Sequence, residues 1–261
     1  MPQLLEGKTA LVTGVANKWS IAYAIAQAFV REGAQVILTY QSDRQKVTVE
    51  ELAHSLKIER VLPCDVTQDA ELEQLRQNLK GVVLHSVVHA IAFANREDLT
   101  QPFAETSRAG FALALDVSAY SFVALARATR AACNPADRGG ASLMTLTYLG
   151  AMRVVENYNV MGVAKAALES SVRYLAADLG PANIRVNAIS AGPIKTVSAR
   201  GIRDFSKLER AVKLSPLRRN TDPAEVADTA VFLASDLGRG VTGNVLYVDA
   251  GFQIIGLALP D

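Results

Sequence analysis

The sequence predicts an α/β fold with a doubly wound parallel sheet, and three observations support this. Seven short runs rich in β-branched and apolar residues alternate with six longer segments of helical periodicity. The short runs are apolar almost throughout, which is typical of parallel strands that are covered on both faces. No linker, low-complexity tract or internal repeat interrupts the 261 residues, so residues 1–261 are expected to form a single domain.

The predicted strands and helices follow one another in strict alternation. The last predicted helix opens on Asp222 and Pro223, an N-cap residue followed by a proline at the first helical position. With right-handed crossovers this order gives a seven-stranded Rossmann-type sheet, in which ligands bind beyond the carboxyl ends of the strands. Functional residues are therefore expected just after each strand. The predicted strands span residues 8–13, 35–39, 60–63, 82–89, 141–147, 184–190 and 244–248, and the predicted helices span residues 20–32, 44–56, 69–80, 118–133, 158–179 and 222–235.

The composition argues against several classes of protein. Half of the residues are apolar and 20% are charged, as in ordinary globular domains. The N-terminus lacks the pattern of a signal peptide and the apolar runs fall short of the ~18 residues of a membrane span, so a cytoplasmic protein without a membrane segment is expected. Cys64 and Cys133 form no CxxC pair and are interpreted as buried free thiols. His54, His85 and His89 are not spaced as metal ligands, and no metal is predicted.

One basic segment stands out against a net charge of only +1. Residues 195–219 carry eight basic and two acidic side chains, which gives this segment +6 and leaves −5 for the rest of the chain. Phe205 is the single aromatic residue within it, so the aromatic residues that stack on nucleic-acid bases are missing and no nucleic-acid partner is expected. The segment is either a solvated helical face or a docking surface for an acidic partner.

The first predicted strand is followed by a glycine and a loop that enters a helix. This loop departs from the GxGxxG pattern, since Gly14 is its one glycine and the stretch before the helix is longer. Gly14 allows a tight turn, and the small side chains of Ser20 and Ala22 would let the N-terminus of the helix approach a pyrophosphate. Taken alone, the loop is more typical of an ordinary strand-to-helix turn.

Two further strand ends favour a dinucleotide. The second strand ends at Gln41 and Ser42, where dinucleotide-binding folds often carry an acid that binds the adenosine ribose. A 2′-phosphate would favour a bidentate cation, and Gln41 offers a neutral amide instead, so NADH is expected over NADPH even though Arg44 is near. The third strand is followed by Asp65 and Val66, a carboxylate and a backbone amide that could contact an adenine. Asp65 is equally a candidate cap of the next helix.

A tyrosine and a lysine lie seven residues apart in the predicted helix 158–179. Short-chain dehydrogenases that reduce ketones carry Tyr-x3-Lys, whereas here the residue four before Lys165 is Met161 and the tyrosine is Tyr158. On a helix, a spacing of seven returns to within ~20° of the same face and ~10 Å along the axis. The phenol is therefore expected to act at a point farther from the lysine than in the ketone reductases.

The displaced tyrosine and the motifs around it closely resemble the bacterial NADH-dependent enoyl-acyl-carrier-protein reductases, of the short-chain dehydrogenase/reductase superfamily. The likeness extends over essentially the whole chain. It implies an oxidoreductase that reduces the C2=C3 bond of trans-2-enoyl-acyl-carrier-protein thioesters with NADH in fatty-acid elongation, and it implies a homotetramer. The apolar helix 158–179 and the final run 245–259 are candidate contacts between copies. The resembling segments are 14–17, 20–22, 89–93, 147–196 and 248–251.

The resemblance also implies a role for each site residue. Tyr158 would donate a hydrogen bond to the thioester oxygen, where negative charge develops. Lys165 would bind the nicotinamide ribose, and its positive charge is expected to favour a charged or strongly polarised phenol. Tyr148, the third residue expected to be catalytic, would line the substrate pocket, and Ala94 would contact the acyl substrate together with the two tyrosines. The implied cofactor contacts are Gly14, Ser20 and Ile21 on the pyrophosphate side, Gln41, Asp65, Val66 and Ile91 around the adenosine, and Ile194, Lys195, Thr196, Val197 and Ser198 around the nicotinamide amide and the diphosphate.

The chain departs from the family pattern in two places. Residues 79–88 lack the aromatic-Gly-Lys turn that is usual before this strand. Arg200 stands where a small residue is usual, within the expected substrate-binding loop at about 195–215.

Two other functions stay open. A ketone (3-oxoacyl) reductase of the same superfamily is disfavoured because Tyr-x3-Lys is absent. A catalytically silent dinucleotide-binding regulator would have no need of both Tyr158 and Lys165.

Overall fold

Seven parallel strands form one sheet in the computed structural model, which describes residues 3–133, 139–194 and 215–256. The strands are β1 Thr9–Thr13, β2 Gln35–Tyr40, β3 Arg60–Pro63, β4 Ser86–His89, β5 Ala141–Thr147, β6 Ile184–Ala191 and β7 Val245–Val248. Their order in the sheet is β3-β2-β1-β4-β5-β6-β7. The direction of winding reverses between β1 and β4, which is where sheets of this kind bind their ligands. The predicted doubly wound, Rossmann-type fold is confirmed.

Helices cover both faces of this sheet. Within the described ranges, the α-helices are α1 Ile21–Arg31, α2 Asp43–Ser55, α3 Asp69–Asn78, α4 Arg96–Thr100, α5 Arg108–Leu115, α6 Ser121–Thr129, α7 Val160–Leu179 and α8 Pro223–Ala234. α1 and α8 pack together over one face, and α3, α6 and α7 cover the other. Neighbouring residues of β1 therefore enter different cores: Val12 is buried with Phe29 of α1, and Leu11 with Phe122 of α6. Burial on both faces explains why the strands read as continuous apolar runs.

The strand predicted at residues 82–89 is shorter than expected. Gly81 has a φ of 78° and the Val82 amide donates to the Leu79 carbonyl, so the chain is still turning where the strand was predicted to begin. Leu84 then donates its amide to Ala132, outside the sheet. The paired part of β4 is left with four residues.

A helical run, Arg108–Thr129, replaces the shorter helix predicted at residues 118–133. Ser107 caps the run by accepting a hydrogen bond from a backbone amide three residues on, and a π-helical turn, Asp116–Tyr120, separates α5 from α6. Among the described residues this run is the one helix long and apolar enough, by length and composition, to cross a membrane. However, 56% of its apolar window is buried in the protein, as in the core helix of a globular fold.

The N-terminus of α8 has the cap that the sequence predicts. The side chain of Asp222 accepts a 2.8 Å hydrogen bond from the Ala224 amide, and Glu225 accepts one of 2.8 Å from the Asp222 amide. Pro223 occupies the first helical position. These bonds satisfy amides that would otherwise have no partner within the helix.

Replacing this cap should destabilise the protein measurably. We expect Asp222→Ala to lower the free energy of unfolding by about 1 kcal/mol, because an N-cap hydrogen bond is lost. Asp222→Asn keeps an acceptor and should stay close to wild type. Urea denaturation at one fixed protein concentration measures both; equal losses in the two variants would contradict a role for the capping hydrogen bond.

Candidate active site

A cavity of about 620 Å³ opens at the carboxyl ends of β1, β4, β5 and β6. It lies at the point where the strand order reverses, as expected for a ligand site in this fold. Most of the predicted site residues in the described part of the chain meet in its wall. These are Gly14, Ser20, Ile21, Ile91, Ala94, Tyr148, Tyr158, Lys165 and Ile194.

The floor of the cavity depends on a close approach of two backbones. Gly14 has a φ of 84°, and a Cβ atom on it would lie 2.1 Å from the carbonyl oxygen of Ala90, just beyond β4. No other residue type fits there without displacing main chain. Ser20 caps α1 by accepting from the Tyr23 amide at 3.2 Å, and the first turn of α1 carries no acidic residue. The positive end of the helix dipole is therefore free to face an anion.

Gln41 and Asp65 meet at the ends of β2 and β3, outside the lining of this cavity. The Gln41 amide donates to one carboxylate oxygen of Asp65 at 3.3 Å. The other oxygen accepts from both the amide and the hydroxyl of Thr67. The cap residue of α3 is Gln68, so the alternative interpretation of Asp65 as that cap is wrong. Val66, the next residue, is buried in the core beneath them.

Lys165 is buried on α7, and its ammonium group faces the end of β5. Nζ donates a 2.7 Å hydrogen bond to the carbonyl oxygen of Leu146. Burial lowers the pKa of Lys165 to about 8, against the opposing effect of the Glu169 carboxylate. The group is thus largely charged at neutral pH, and an ammonium has three donors, of which Leu146 takes one. Among the described residues no other atom accepts from Nζ, so the remaining donors can serve a ligand in the cavity.

Tyr158 does not lie on α7, which corrects the predicted helix 158–179. The helix begins at Val160, and the residues on either side of the tyrosine, Asn157 and Asn159, have φ values of 63° and 41°. The calculation of a common helix face with Lys165 therefore does not apply. Asn and Asp tolerate positive φ better than most residues, which is the local reason that the helix cannot extend backwards here.

Two contacts hold the Tyr158 loop in place. Asn159 donates a 2.8 Å hydrogen bond from its side-chain amide to the carbonyl oxygen of Gln101, at the end of α4. On the other side, a Cβ atom at Gly150 would lie 2.3 Å from the Tyr158 ring, so the phenol occupies space that any larger residue would fill. Gly150 was not singled out from the sequence, because the close approach arises only in three dimensions.

The two phenols of the site lie against each other. The rings of Tyr148 and Tyr158 pack edge to face, with 5.0 Å between centroids and 65° between planes. Burial raises the pKa of each phenol well above its usual value. The expectation that Lys165 favours a charged phenol is therefore reversed: in this structure both tyrosines are neutral hydrogen-bond donors. The Tyr148 hydroxyl is buried with no partner among the described residues.

Two polar side chains to which the sequence assigned no role in the site support the wall of the cavity. His89 of β4 is fully buried, contacts the hydroxyls of Thr145 and Ser121 at 2.9 and 2.8 Å, and has a pKa lowered by burial to about 3. Ser118 lies in the π-helical turn and bonds both the amide and the carbonyl of Phe93, at 2.9 and 3.0 Å. A π-turn leaves no clear pattern in a sequence, so this support could not be predicted.

Several predicted residues lie outside the described part of the chain. Lys195, Thr196, Val197 and Ser198 fall there, as does nearly all of the expected substrate-binding loop, including Arg200. Within the described residues, no group of three or more His, Cys, Asp or Glu side chains could hold a metal ion. Cys64 and Cys133 are buried free thiols, as predicted.

Known proteins resemble the chain over nearly its whole length. The family described as Enoyl-(Acyl carrier protein) reductase matches residues 14–253. The enoyl-[acyl-carrier-protein] reductase [NADH] FabI of Bacillus cereus is 53% identical over 259 residues, which cover 97% of this chain and 100% of that protein.

Two solved structures have the same fold. The Bacillus cereus enoyl-acyl carrier protein reductase, solved with NADP+ and indole naphthyridinone, is 52% identical with a TM-score of 0.93 and covers 98% of this chain and 100% of that one. The reductase of Anaplasma phagocytophilum, solved with NAD, is 44% identical with a TM-score of 0.93 and covers 100% and 99%. The chain belongs to the enoyl-acyl-carrier-protein reductase family, as the motifs around Tyr158 and Lys165 indicated.

Proposed function

We propose that this protein reduces the C2=C3 bond of trans-2-enoyl thioesters on acyl carrier protein, with NADH, in fatty-acid elongation. The observation that carries the proposal is the pair of buried, neutral phenols at the cavity wall that Lys165 also lines. A thioester oxygen that gains negative charge needs a preorganised donor, and these two phenols line the same cavity as the lysine. The relatives bear the same activity in their names.

A nicotinamide dinucleotide fits the residues present. Gly14 lets a ligand approach the backbone between β1 and β4, and α1 offers its N-terminus to a pyrophosphate. Lys165 has donors to spare for ribose hydroxyls. When bound, the cofactor supplies the hydride that adds to C3 of the enoyl group.

The protein's part in the reaction is electrostatic. We assign to Tyr158 a hydrogen bond to the thioester oxygen, which strengthens as enolate charge develops there. Because the phenol is buried, water does not screen this bond. Tyr148 packs against its ring, limits its rotation and lines the pocket, and Ala94 lies in the wall where the acyl chain would pass.

The two alternative functions have less support. A ketone reductase would need a hydroxyl four residues before Lys165, and Met161 lies there, with its sulfur 3.7 Å from the Ser118 hydroxyl. A silent regulator would bind the dinucleotide without needing two buried phenols in the wall of the cavity. Such a protein could lose Tyr158 without consequence.

We further propose a homotetramer and an acidic carrier protein as partners. Tyr174 and Val163 are exposed apolar residues of α7, and Ile254 lies in the exposed part of the final run. Apolar patches of this kind suit a contact between copies. In the basic segment, the Arg219 guanidinium forms an ion pair with the Glu225 carboxylate, at 2.6 Å. The positive charge that would attract an acidic carrier is therefore expected from the residues before Arg219.

Enzyme assays test the activity directly. Purified protein should consume NADH when given a trans-2-enoyl thioester, and kcat/KM should be higher with NADH than with NADPH, because Gln41 presents an amide rather than a cation. Absorbance of the reduced nicotinamide measures both. No turnover of the enoyl thioester, with turnover of a 3-oxoacyl thioester, would favour the ketone reductase.

Substitution of the two tyrosines separates their roles. Tyr158→Phe should lower kcat roughly ten- to a hundredfold with little change in KM, since it removes a bond made mainly in the transition state. Tyr148→Phe is the matched control, the loss of one hydroxyl from the same ring pair. Lys165→Ala should instead weaken NADH binding. Full kcat in Tyr158→Phe, with none in Tyr148→Phe, would assign the donor to the other ring.

A double variant tests the position of the phenol. Met161→Tyr combined with Tyr158→Phe rebuilds Tyr-x3-Lys on α7. It should not recover enoyl reduction, because a hydroxyl at residue 161 would face the carbon beside the cofactor and not the thioester oxygen. Recovery of wild-type turnover would show that the exact placement of the donor is unimportant.

Carrier docking is tested by reversing charge in the basic segment. Arg203→Glu with Lys207→Glu should raise KM for carrier-linked substrate more than for a coenzyme A analogue, and high salt should reduce the difference. Lys80→Glu with Arg130→Glu is the control, since these exposed basic residues lie outside the segment, just after α3 and α6. Equal effects on both substrates would leave the segment as a solvated face.

A further inference from the structure

Helix α7 carries a buried carboxylate one turn after Lys165. Glu169 is only 6% exposed, and acidic side chains are rarely buried to this degree unless they are paired. Its Oε1 accepts a 2.7 Å hydrogen bond from the hydroxyl of Thr147, at the end of β5. Neither residue is among those that the sequence motifs singled out for a function.

Two hydrogen bonds, one helical turn apart, fasten α7 to the end of β5. Lys165 donates to the carbonyl of Leu146, and Thr147, the next residue of the strand, donates to Glu169. Tyr148 follows directly and packs against the second phenol of the site. The orientation of the phenol pair therefore depends on a strand end that the Glu169 carboxylate holds.

Glu169 also acts through its charge. Burial lowers the pKa of Lys165, and Glu169 opposes that change; burial raises the pKa of Tyr158, and Tyr148 and Glu169 raise it further. Burial raises the pKa of Glu169 itself, whereas the Thr147 hydroxyl, Arg173 and Lys165 lower it. Among the described residues, the other titratable groups near this cluster are the neutral His89 of β4, Tyr247 of β7, and Asp249 just after β7, whose carboxylate raises the pKa of Tyr148.

We propose that Glu169 is a positioning residue, whose carboxylate keeps the Lys165 ammonium charged for the cofactor and holds the end of β5 so that the phenols present neutral donors. The inference rests on the proposed role of Lys165 in cofactor binding. A residue that served the fold alone would need only to accept the Thr147 hydrogen bond. A glutamine accepts that bond without the free-energy cost of burying a charge, so the charge itself has a use.

NADH binding measured as a function of pH tests the proposal. In the wild-type enzyme, the affinity for NADH should be constant at pH values below the Lys165 pKa of about 8 and should fall as the pH rises through it, because the charged form of the lysine binds the cofactor. In Glu169→Gln the fall should begin about one pH unit lower, since an opposite charge nearby typically raises the pKa of a cation by about that much. Fluorescence titration across neutral and alkaline pH gives the break in affinity for each variant.

Three further variants make the outcome specific. Asp178→Asn makes the same change of charge on the exposed side of α7 and should leave the break unchanged. Lys165→Arg stays charged throughout and should abolish the break. If Glu169→Gln does not fold, as judged by circular dichroism, Glu169→Asp serves instead. This substitution moves the carboxylate back by one methylene, so the pH at which NADH affinity falls should decrease by less than one unit.

The outcomes distinguish the inference from the proposed function. A break that persists in Lys165→Arg would overturn the role of Lys165 in cofactor binding, and the inference with it. A break abolished in Lys165→Arg but unchanged in Glu169→Gln, or in its substitute Glu169→Asp, would overturn the role of Glu169 alone.

Discussion

The attachment of α7 to the carboxyl end of β5 is the constraint on which the rest of the site depends. A lysine ammonium is buried there, with its Nζ 2.7 Å from the Leu146 carbonyl oxygen. Burial makes the charge costly and lowers the pKa of Lys165, and the neighbouring Glu169 carboxylate opposes that change. Because Tyr148 directly follows β5 and Tyr158 shortly precedes α7, the same attachment sets the distance between the two phenols. Geometry and charge at this site are thus fixed by one contact between a strand and a helix.

Two glycines, which have no side chain, shape the cavity as much as the side chains that line it. At Gly14 a Cβ atom would collide with the main chain after β4, and at Gly150 it would collide with the ring of Tyr158. The first glycine brings two strand ends close enough to form the floor of a ligand site, and the second leaves room for a phenol that approaches from a loop. A larger residue at Gly14 would have to displace the backbone after β4, and a larger residue at Gly150 would have to displace a ring that packs against Tyr148.

The sequence predicted features that depend on local chemistry and failed where tertiary contacts decide. β5 and the cap at Asp222 were predicted from an apolar run and from N-cap chemistry. The start of α7 was wrong, because the two asparagines before it adopt positive φ in a loop that is hydrogen-bonded to α4, against a pattern that is helical by periodicity. Gly14 could be chosen from its place after a strand, whereas Gly150 and Glu169 could not, since their importance comes from a ring and a hydroxyl that are distant in sequence.

The loop position of Tyr158 changes what the same two residue types can do. A phenol four residues before Lys165 would project from α7, where Met161 now packs against Ser118. Residue 158 instead lies outside the helix, and Asn159 ties its loop to α4 through the Gln101 carbonyl. Contacts with α4 and with Tyr148 therefore hold the phenol, in addition to its connection to the helix that carries the lysine. Whether a tyrosine can donate to a carbonyl oxygen beside the cofactor or, as we propose for Tyr158, to a more distant thioester oxygen depends on backbone conformation over three residues. The presence of a tyrosine and a lysine alone does not decide it.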